Sequence, residues 1–442
     1  MKKILVLGAG MVSRPLVTWL LNHDYKLTLA DLNKSKAEAI LNAHPNSVAV
    51  SLDVKNEDDL NLLISDSDLV ISLLPATMHL QVAKFCIKHK TSLVTTSYQH
   101  PGMAELQTLI NDGGIIILNE MGLDPGIDHM SAMSIIDRVH SNQGQVLSFY
   151  SLCGALPSME SADNPMQYKF TWSPLGVMNA SLSSAKYLLH GEEVVIPSEK
   201  LFSDTFKVDF PEIGTLDMYP NRDSVSYINE YRIPEVKSMM RGTLRLPGWN
   251  QTIDAFKKLG LLDTQTISME GLSYFNLIER KTGILYPEYE CQIAKFLQID
   301  EKSVAIESLR WLGFFSNEKN GKSVDSPFNV TCDLMFGKMM LKESDTDMVL
   351  LQHELLVRYP DDREEKIFSR LYEKGDKAGN TAIAKTVALP AAIAAHLILS
   401  GEIKLRGLLR PVIPEIYEPV LAELEKSGIS VKEEIKSLAH KE

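Results

Sequence analysis

The chain has 442 residues, 45% of them hydrophobic and 23% charged, which excludes the disordered and fibrous classes and leaves length for two or three folded units. Its net charge of −12 excludes a nonspecific grip on nucleic acid or anionic lipid through bulk charge, so an anionic ligand has to be met by a local cationic cluster. Cys86, Cys153, Cys291 and Cys332 form neither a CxxC pair nor a metal-ligand spacing; they read as reduced thiols of a cytoplasmic protein, and no metal site is expected.

Ile4 to Leu7 follows two lysines as a leader would, but Arg14 and Pro15 interrupt the apolar run and no small-residue cleavage pattern follows. The run therefore predicts a buried strand. A helix over residues 12–22, a strand over 26–30 and a helix over 35–43 complete a βαβ unit. Strand patterns recur at 47–52, 69–73, 92–95 and 115–118 with helical stretches between them. Residues 1–121 are thus expected to form a Rossmann-type parallel sheet with helices on both faces.

The texture then changes. Strand-like runs at 146–152 and 206–208 are separated by long polar loops containing proline, and residues 249–328 turn mostly helical, as at 253–259 and 289–297. Strand character returns at 348–357. The expectation is an α+β substrate and dimerisation domain over 122–248 and 329–379, carrying a helical insertion over 249–328. The late apolar helix, 382–399, follows Gly379 and Asn380, and residues 380–442 are expected to pack back on the first domain. Its most apolar part, 387–399, contains Pro390 and His396 and falls short of the ~20 residues of a membrane span. No membrane or nucleic-acid partner is expected, and a homodimer is considered through the helical segments.

Gly8-Ala9-Gly10-Met11-Val12-Ser13 lies between the first strand and the first helix. Gly8 permits the tight turn, Gly10 lets a pyrophosphate approach the backbone, and the helix N-terminus offers unpaired N–H groups to it. Asp31 ends the second strand, where a carboxylate accepts hydrogen bonds from an adenine ribose and repels a 2′-phosphate. That favours NAD over NADP, with Lys34 and Lys36 near enough to accommodate the phosphate of NADP.

Further along stand Leu73-Leu74-Pro75, Thr95-Thr96-Ser97-Tyr98 and Asn119-Glu120-Met121-Gly122-Leu123-Asp124-Pro125-Gly126-Ile127-Asp128-His129. Beyond them come Cys153-Gly154-Ala155-Leu156-Pro157, Asp163-Asn164-Pro165, Tyr168-Lys169-Phe170-Thr171-Trp172-Ser173-Pro174, Tyr219-Pro220-Asn221-Arg222-Asp223-Ser224, Arg241-Gly242-Thr243-Leu244-Arg245 and Gly407-Leu408-Leu409. In these blocks, and in their order over nearly the whole chain, the sequence resembles the glutamate-forming saccharopine dehydrogenases, also called saccharopine reductases. The resemblance implies oxidation of the secondary amine of saccharopine by NAD(P)+, with hydrolysis to glutamate and 2-aminoadipate 6-semialdehyde in lysine metabolism, or the reverse reductive condensation. It implies cofactor contacts at Gly8, Ala9, Gly10, Met11, Val12, Asp31, Asp53, Val54, Leu74, Thr96, Ser97, Leu123, Asp124, Pro125 and Ser173. It implies substrate contacts at Ser97, Tyr98, Asp124, Arg222, Thr243, Leu244 and Arg245. Asp31 departs from the basic residue of NADP-using fungal members, which points to NAD as cofactor with NADP as the alternative.

Saccharopine carries three carboxylates, and arginine binds a carboxylate bidentately. Arg222, Arg232, Arg241 and Arg245 cluster in an otherwise acidic chain; Arg222 and Arg245 lie within the matched blocks, whereas Arg232 and Arg241 suit solvated ion pairs equally well. Residues 122–128 join the last sheet strand to the second domain, and ligands of open α/β sheets bind beyond the strand carboxyl ends. Asp124 and Asp128 also suit helix N-caps, and His129 suits packing. Asp124, Tyr98, Lys169 or solvent is open as the general base. Two other readings stand beside this one: a carboxynorspermidine-type imine reductase, whose diamine-ended substrate calls for extra carboxylates instead of arginines, and a non-catalytic dinucleotide-binding protein.

Overall fold

The computed structural model describes residues 1–285, 289–377 and 380–438; Gly379 lies outside them. Along the first part of the chain alternate β1 (Lys3–Leu7), α1 (Ser13–Asn22), β2 (Lys26–Asp31), α2 (Lys34–Leu41), β3 (Ser47–Ser51), α3 (Glu57–Ser65), β4 (Leu69–Ser72), α4 (His79–His89), β5 (Ser92–Thr95), α5 (Gln107–Gly113) and β6 (Ile116–Leu118), with α6 (Ile127–Ser141) after them. β1 and β4 are continuous apolar runs because the sheet is covered on both faces. Leu5, Leu7 and Val70 pack with Leu60 and Ile64 of α3 and with Val82 and Cys86 of α4. Asn33 and Asn56 cap α2 and α3, accepting from the N–H groups of Ser35 at 3.1 Å and Asp59 at 3.4 Å.

There follow β7 (Gln145–Pro157), α7 (Pro174–Ala180), β8 (Ala185–Leu189), β9 (Glu192–Ile196), β10 (Phe206–Phe210), β11 (Gly214–Pro220), α8 (Tyr227–Glu230), β12 (Ser238–Arg245) and α9 (Trp249–Lys258). Next come β13 (Ile267–Ser268), α10 (Tyr274–Thr282), α11 (Tyr289–Leu297), α12 (Val304–Leu312), β14 (Val324–Asp325), α13 (Pro327–Met339) and β15 (Asp347–Arg358). The chain ends through β16 (Glu364–Lys374), α14 (Ala382–Ser400), β17 (Gly407–Leu409), α15 (Pro414–Lys426) and β18 (Lys432–Leu438).

Contacts divide these elements into two units: residues 1–146, 230–232 and 357 onward, and residues 147–229 with 233–356. The first unit holds a seven-stranded sheet in the order β17-β6-β5-β4-β1-β2-β3. All its neighbours run parallel, with β17 supplied from beyond residue 400 and registered Gly407 to Ile116. α14 is long and apolar enough to cross a membrane by length and composition, and it packs on α1, β4 and β5 as a core helix. α6 packs on α15, which takes the first unit to residue 146 instead of the expected 121. β16 and β18 form an antiparallel pair in the same unit.

In the second unit the strand order is β10-β11-β12-β7-β15, with the β8–β9 hairpin attached at β12. The β10–β11 and β11–β12 pairs are antiparallel and β12–β7 is parallel. Residues 249–328, expected as an insertion, share one hydrophobic core with this sheet: Trp249, Phe256, Ile278 and Phe314 pack in the same cluster as Leu152, Phe210 and Leu244.

Candidate active site

The glycine turn leaves β1 at the carboxyl edge of the first sheet. Gly8 has φ +104°, a conformation that strains any side chain, and a Cβ there would crowd the Leu73 carbonyl oxygen at 3.3 Å. Its N–H donates to the Ala30 carbonyl at 2.8 Å. Ser13, buried in the third glycine position, turns its hydroxyl onto the Gly10 carbonyl at 2.8 Å. No side chain caps the start of α1, which leaves its first N–H groups for an anion. Asp31 accepts from the Ala9 N–H at 2.8 Å and from the Asn33 N–H at 2.8 Å, which fixes its carboxylate beside the turn. Met11 is exposed and Val12 half-buried. These residues fit the pyrophosphate and adenosine end of a dinucleotide.

The other cofactor candidates of the first unit follow the neighbouring strands. Leu74 lies just past β4, Thr96 and Ser97 just past β5, and Asp53 and Val54 just past β3, so strand order alone lines them along one sheet edge. Leu123, Asp124 and Pro125 form the turn before α6, and the Asp124–Pro125 peptide is cis. The N-cap of α6 is Gly126, not an aspartate. Its φ is +148° and a Cβ would fall 2.0 Å from the Gly122 carbonyl oxygen, which reserves the position for glycine. Asp128 sits in the first turn and accepts from the Gly126 N–H at 2.6 Å. Asp124 is thereby left to a different partner: the Tyr98 hydroxyl donates to its Oδ1 at 2.8 Å.

The second unit carries the remaining candidates. Ser173 is exposed and caps α7, accepting from the Gly176 N–H at 3.2 Å. Arg222 is exposed with φ +51°. Thr243, Leu244 and Arg245 end β12, whose Thr243 registers with Cys153 of β7 and with Tyr219 of β11; Cys153 is buried. Arg245 is 5% exposed and its guanidinium lies 5.0 Å from the Tyr168 ring, 5.4 Å from Trp249 and 5.7 Å from Tyr219. It donates to the Leu244 carbonyl at 3.0 Å and to the Tyr219 hydroxyl at 3.4 Å. Among the described residues its Nε and the indole Nε1 of Trp249 have no acceptor, and no carboxylate faces it.

Lys169 is buried differently. Its Nζ donates to Asp163 at 2.9 Å and Asp345 at 2.8 Å. Burial pulls its pKa down, but the two carboxylates outweigh burial and raise it above the ordinary lysine value. A lysine held charged in this way is a poor base. Of the other arginines, Arg232 pairs with Asp137 at 3.6 Å and donates to the Val412 carbonyl at 3.2 Å, while Arg241 is buried with its guanidinium 4.4 Å from the Tyr227 ring.

Sequence reasoning passes over Tyr168 and Trp249 as walls for Arg245, and over Glu120, which lies buried behind residues 97–99. The apolar run after Arg245 is the available signal for the walls; burial of Glu120 leaves no local signature.

Two family profiles cover this chain almost end to end: "Saccharopine dehydrogenase NADP binding domain" over residues 4–118 and "Saccharopine dehydrogenase C-terminal domain" over 122–429. The chain belongs to the saccharopine dehydrogenase family. Within that family it is 38% identical to the Saccharomyces cerevisiae protein named saccharopine dehydrogenase [NADP(+), L-glutamate-forming], over 98% of this chain and 99% of that one. It is 36% identical to a Bos taurus protein named alpha-aminoadipic semialdehyde synthase, mitochondrial, of which it spans 47%. A solved apo structure of the S. cerevisiae L-Glu forming enzyme superposes with a TM-score of 0.90 at 34% identity, over 99% of this chain and 100% of that one. The α/β expectation of a Rossmann-type sheet with a second sheet domain and many helices agrees with this fold.

Proposed function

We propose that the chain is a glutamate-forming saccharopine dehydrogenase of lysine metabolism. The reading is carried by the match to glutamate-forming relatives over the full length of both chains. The reaction takes saccharopine, an oxidised pyridine dinucleotide and water to glutamate, 2-aminoadipate 6-semialdehyde, the reduced dinucleotide and a proton. A bound nicotinamide supplies the hydride acceptor. The residues at the ends of β1 to β5 would hold the dinucleotide, and the uncapped N-terminus of α1 would offer its N–H groups to the pyrophosphate. Buried Arg245, walled by aromatic rings and with no ionic partner among the described residues, supports capture of one substrate carboxylate, and Arg222 supports a second. The amine has to be neutral to release hydride, and the Tyr98–Asp124 hydrogen bond supports that pair as the place where its proton goes; Lys169, committed to two carboxylates, serves the fold in this reading.

The relatives' names and the first profile's description favour NADP(+). The Asp31 carboxylate, fixed beside the turn, supports NAD for this chain, by accepting from a ribose and repelling a 2′-phosphate. A cytoplasmic setting rests on the dispersed cysteines, and a homodimer is tested by mass in solution. The functional test is initial-rate reduction of NAD+ and NADP+ in parallel with saccharopine, with the semialdehyde trapped and glutamate quantified. Saccharopine-dependent reduction with stoichiometric glutamate is the expected result. Turnover confined to a diamine-derived substrate, or dinucleotide binding with no turnover, overturns the reading.

A further inference from the structure

Behind the Tyr98–Asp124 pair lies a buried carboxylate with no place in the reaction above. Glu120 is 2% exposed and sits in the left-handed region at φ +63°, a conformation that disfavours a side chain and persists only where surrounding contacts hold it. Its own N–H donates to the Ser97 carbonyl at 3.2 Å. Its Oε1 accepts from the Gln99 N–H at 2.9 Å, so backbone and side chain together clasp the three-residue segment whose middle member is Tyr98. On the far side of the carboxylate, His129 Nε2 lies 3.0 Å from Oε2 and Arg410 Nε lies 3.3 Å from Oε1. These two are held in turn: His129 Nδ1 shares a 2.6 Å hydrogen bond with the Tyr231 hydroxyl, and Arg410 pairs with Glu230 at 2.7 Å. Burial alone would raise the Glu120 pKa, but His129, Arg410 and the Gln99 N–H outweigh it and bring it below the ordinary glutamate value. The group is therefore an anion at neutral pH, and an N–H bonded to an anion is stronger than one bonded to a neutral acceptor.

We propose that Glu120 is a positioning residue for the reaction: its carboxylate, framed by His129, Tyr231 and Arg410, fixes the 97–99 segment and so sets where the Tyr98 hydroxyl meets Asp124. The inference rests on the saccharopine dehydrogenase reading of the Tyr98–Asp124 pair, but its geometry is testable without turnover. A hydrogen-bonded pair shifts its alignment when the backbone carrying the donor is released, and misplacement of a proton-handling group lowers turnover more than it lowers dinucleotide affinity.

The test compares full-length wild type with Glu120→Met, which removes acceptor and charge at similar volume, Glu120→Gln, which keeps an acceptor, and Tyr231→Phe, which cuts the outer end of the frame. Amide hydrogen exchange of the 97–99 segment is the first readout. A charge-assisted hydrogen bond is worth about 1.5–3 kcal/mol, so Glu120→Met is expected to speed exchange at Gln99 about 10- to 100-fold. Glu120→Gln restores most of the protection, and Tyr231→Phe gives a smaller increase confined to the same segment. In saccharopine turnover Glu120→Met is expected to lower kcat by a similar factor, and by more than it weakens dinucleotide binding, in which Ser97 of the same segment shares. Unchanged exchange at Gln99 in Glu120→Met overturns the proposal, as does a kcat that stays at the wild-type value. Should Glu120→Met fail to fold, Tyr231→Phe decides: segment-specific loosening supports the proposal and wild-type exchange rejects it. Wild type that protects Gln99 but does not oxidise saccharopine marks failure of the enzymatic reading alone, since the exchange comparison still decides whether Glu120 holds the segment.

Discussion

Lys169 and Arg245 are both buried in the second unit, yet the regions around them treat a cation in opposite ways. Lys169 faces two carboxylates, Asp163 and Asp345, and its charge is fully answered within the chain. Arg245 faces the rings of Tyr168, Tyr219 and Trp249, which tolerate a cation without neutralising it. A charge answered from within belongs to the fold, whereas a buried one with no carboxylate partner among the described residues retains its capacity for an external anion.

Four measurements press on this contrast. Arg245→Met is expected to lower kcat/KM for saccharopine about 10³-fold, within the 2–5 kcal/mol lost when a buried charge partner is removed. The same variant keeps or gains thermal stability, because an uncompensated buried charge disappears with it. Lys169→Met does the reverse. It strands Asp345 and is expected to destabilise the chain by roughly 3 kcal/mol, the low end for a broken buried pair because Asp163 is half exposed, while the KM of the folded fraction is preserved. Since the Lys169 pKa is raised and that of Asp345 lowered, the triad stabilises across neutral pH. That stabilisation is lost as pH climbs through the raised lysine value, or falls through the lowered aspartate value. Chemical denaturation of Lys169→Met across pH is expected to show both edges flattened. Equal stability losses in Arg245→Met and Lys169→Met would erase the contrast.

The first unit offers a third treatment, a buried group kept neutral. His79 donates to or accepts from Ser72 at 3.0 Å, and burial, helped by nearby His100, lowers its pKa from 6.5 to about 4. The unfolded chain takes up a proton that the native one refuses, so stability falls as pH drops from 6.5 toward 4 and levels off below. The expected loss is about 3 kcal/mol, read as the difference between wild type and His79→Gln in denaturant titrations at neutral and acid pH. The smallest effect is expected at Asp31: replacement by alanine lowers the ratio of kcat/KM with NAD to that with NADP, whatever its starting value, by about tenfold, the scale of one charge-assisted hydrogen bond. An unchanged ratio would remove Asp31 from cofactor choice.

Local patterns make the first sheet legible. The strand and helix periods of residues 3–118 and the Gly8-Ala9-Gly10 turn depend on neighbours in sequence, so β1 to β6 fall where periodicity places them. Arg245 is legible through its motif, though its aromatic walls are not. Lys169 reads as one of three proton-transfer candidates because nothing near it in sequence shows Asp345, 176 positions away. The Glu120 frame assembles from residues 99, 129, 231 and 410, and no spacing rule spans such separations. Where the chain leaves a unit and returns, as at residues 230–232, contacts divide it along lines that composition along the chain does not carry.

The seventh strand of the first sheet, Gly407–Leu409, has a consequence for biogenesis. It pairs with β6, so during synthesis from the N-terminus the β6 edge stays open until residue 409 has left the ribosome. An open parallel edge is a template for intermolecular pairing. The nucleotide-binding unit, translated ahead of the second, is therefore the later to complete its sheet, and nascent chains stalled before β17 expose the β6 edge in place of the three-residue edge of β17 while the second unit, whose residues end at Leu356, already has all its strands.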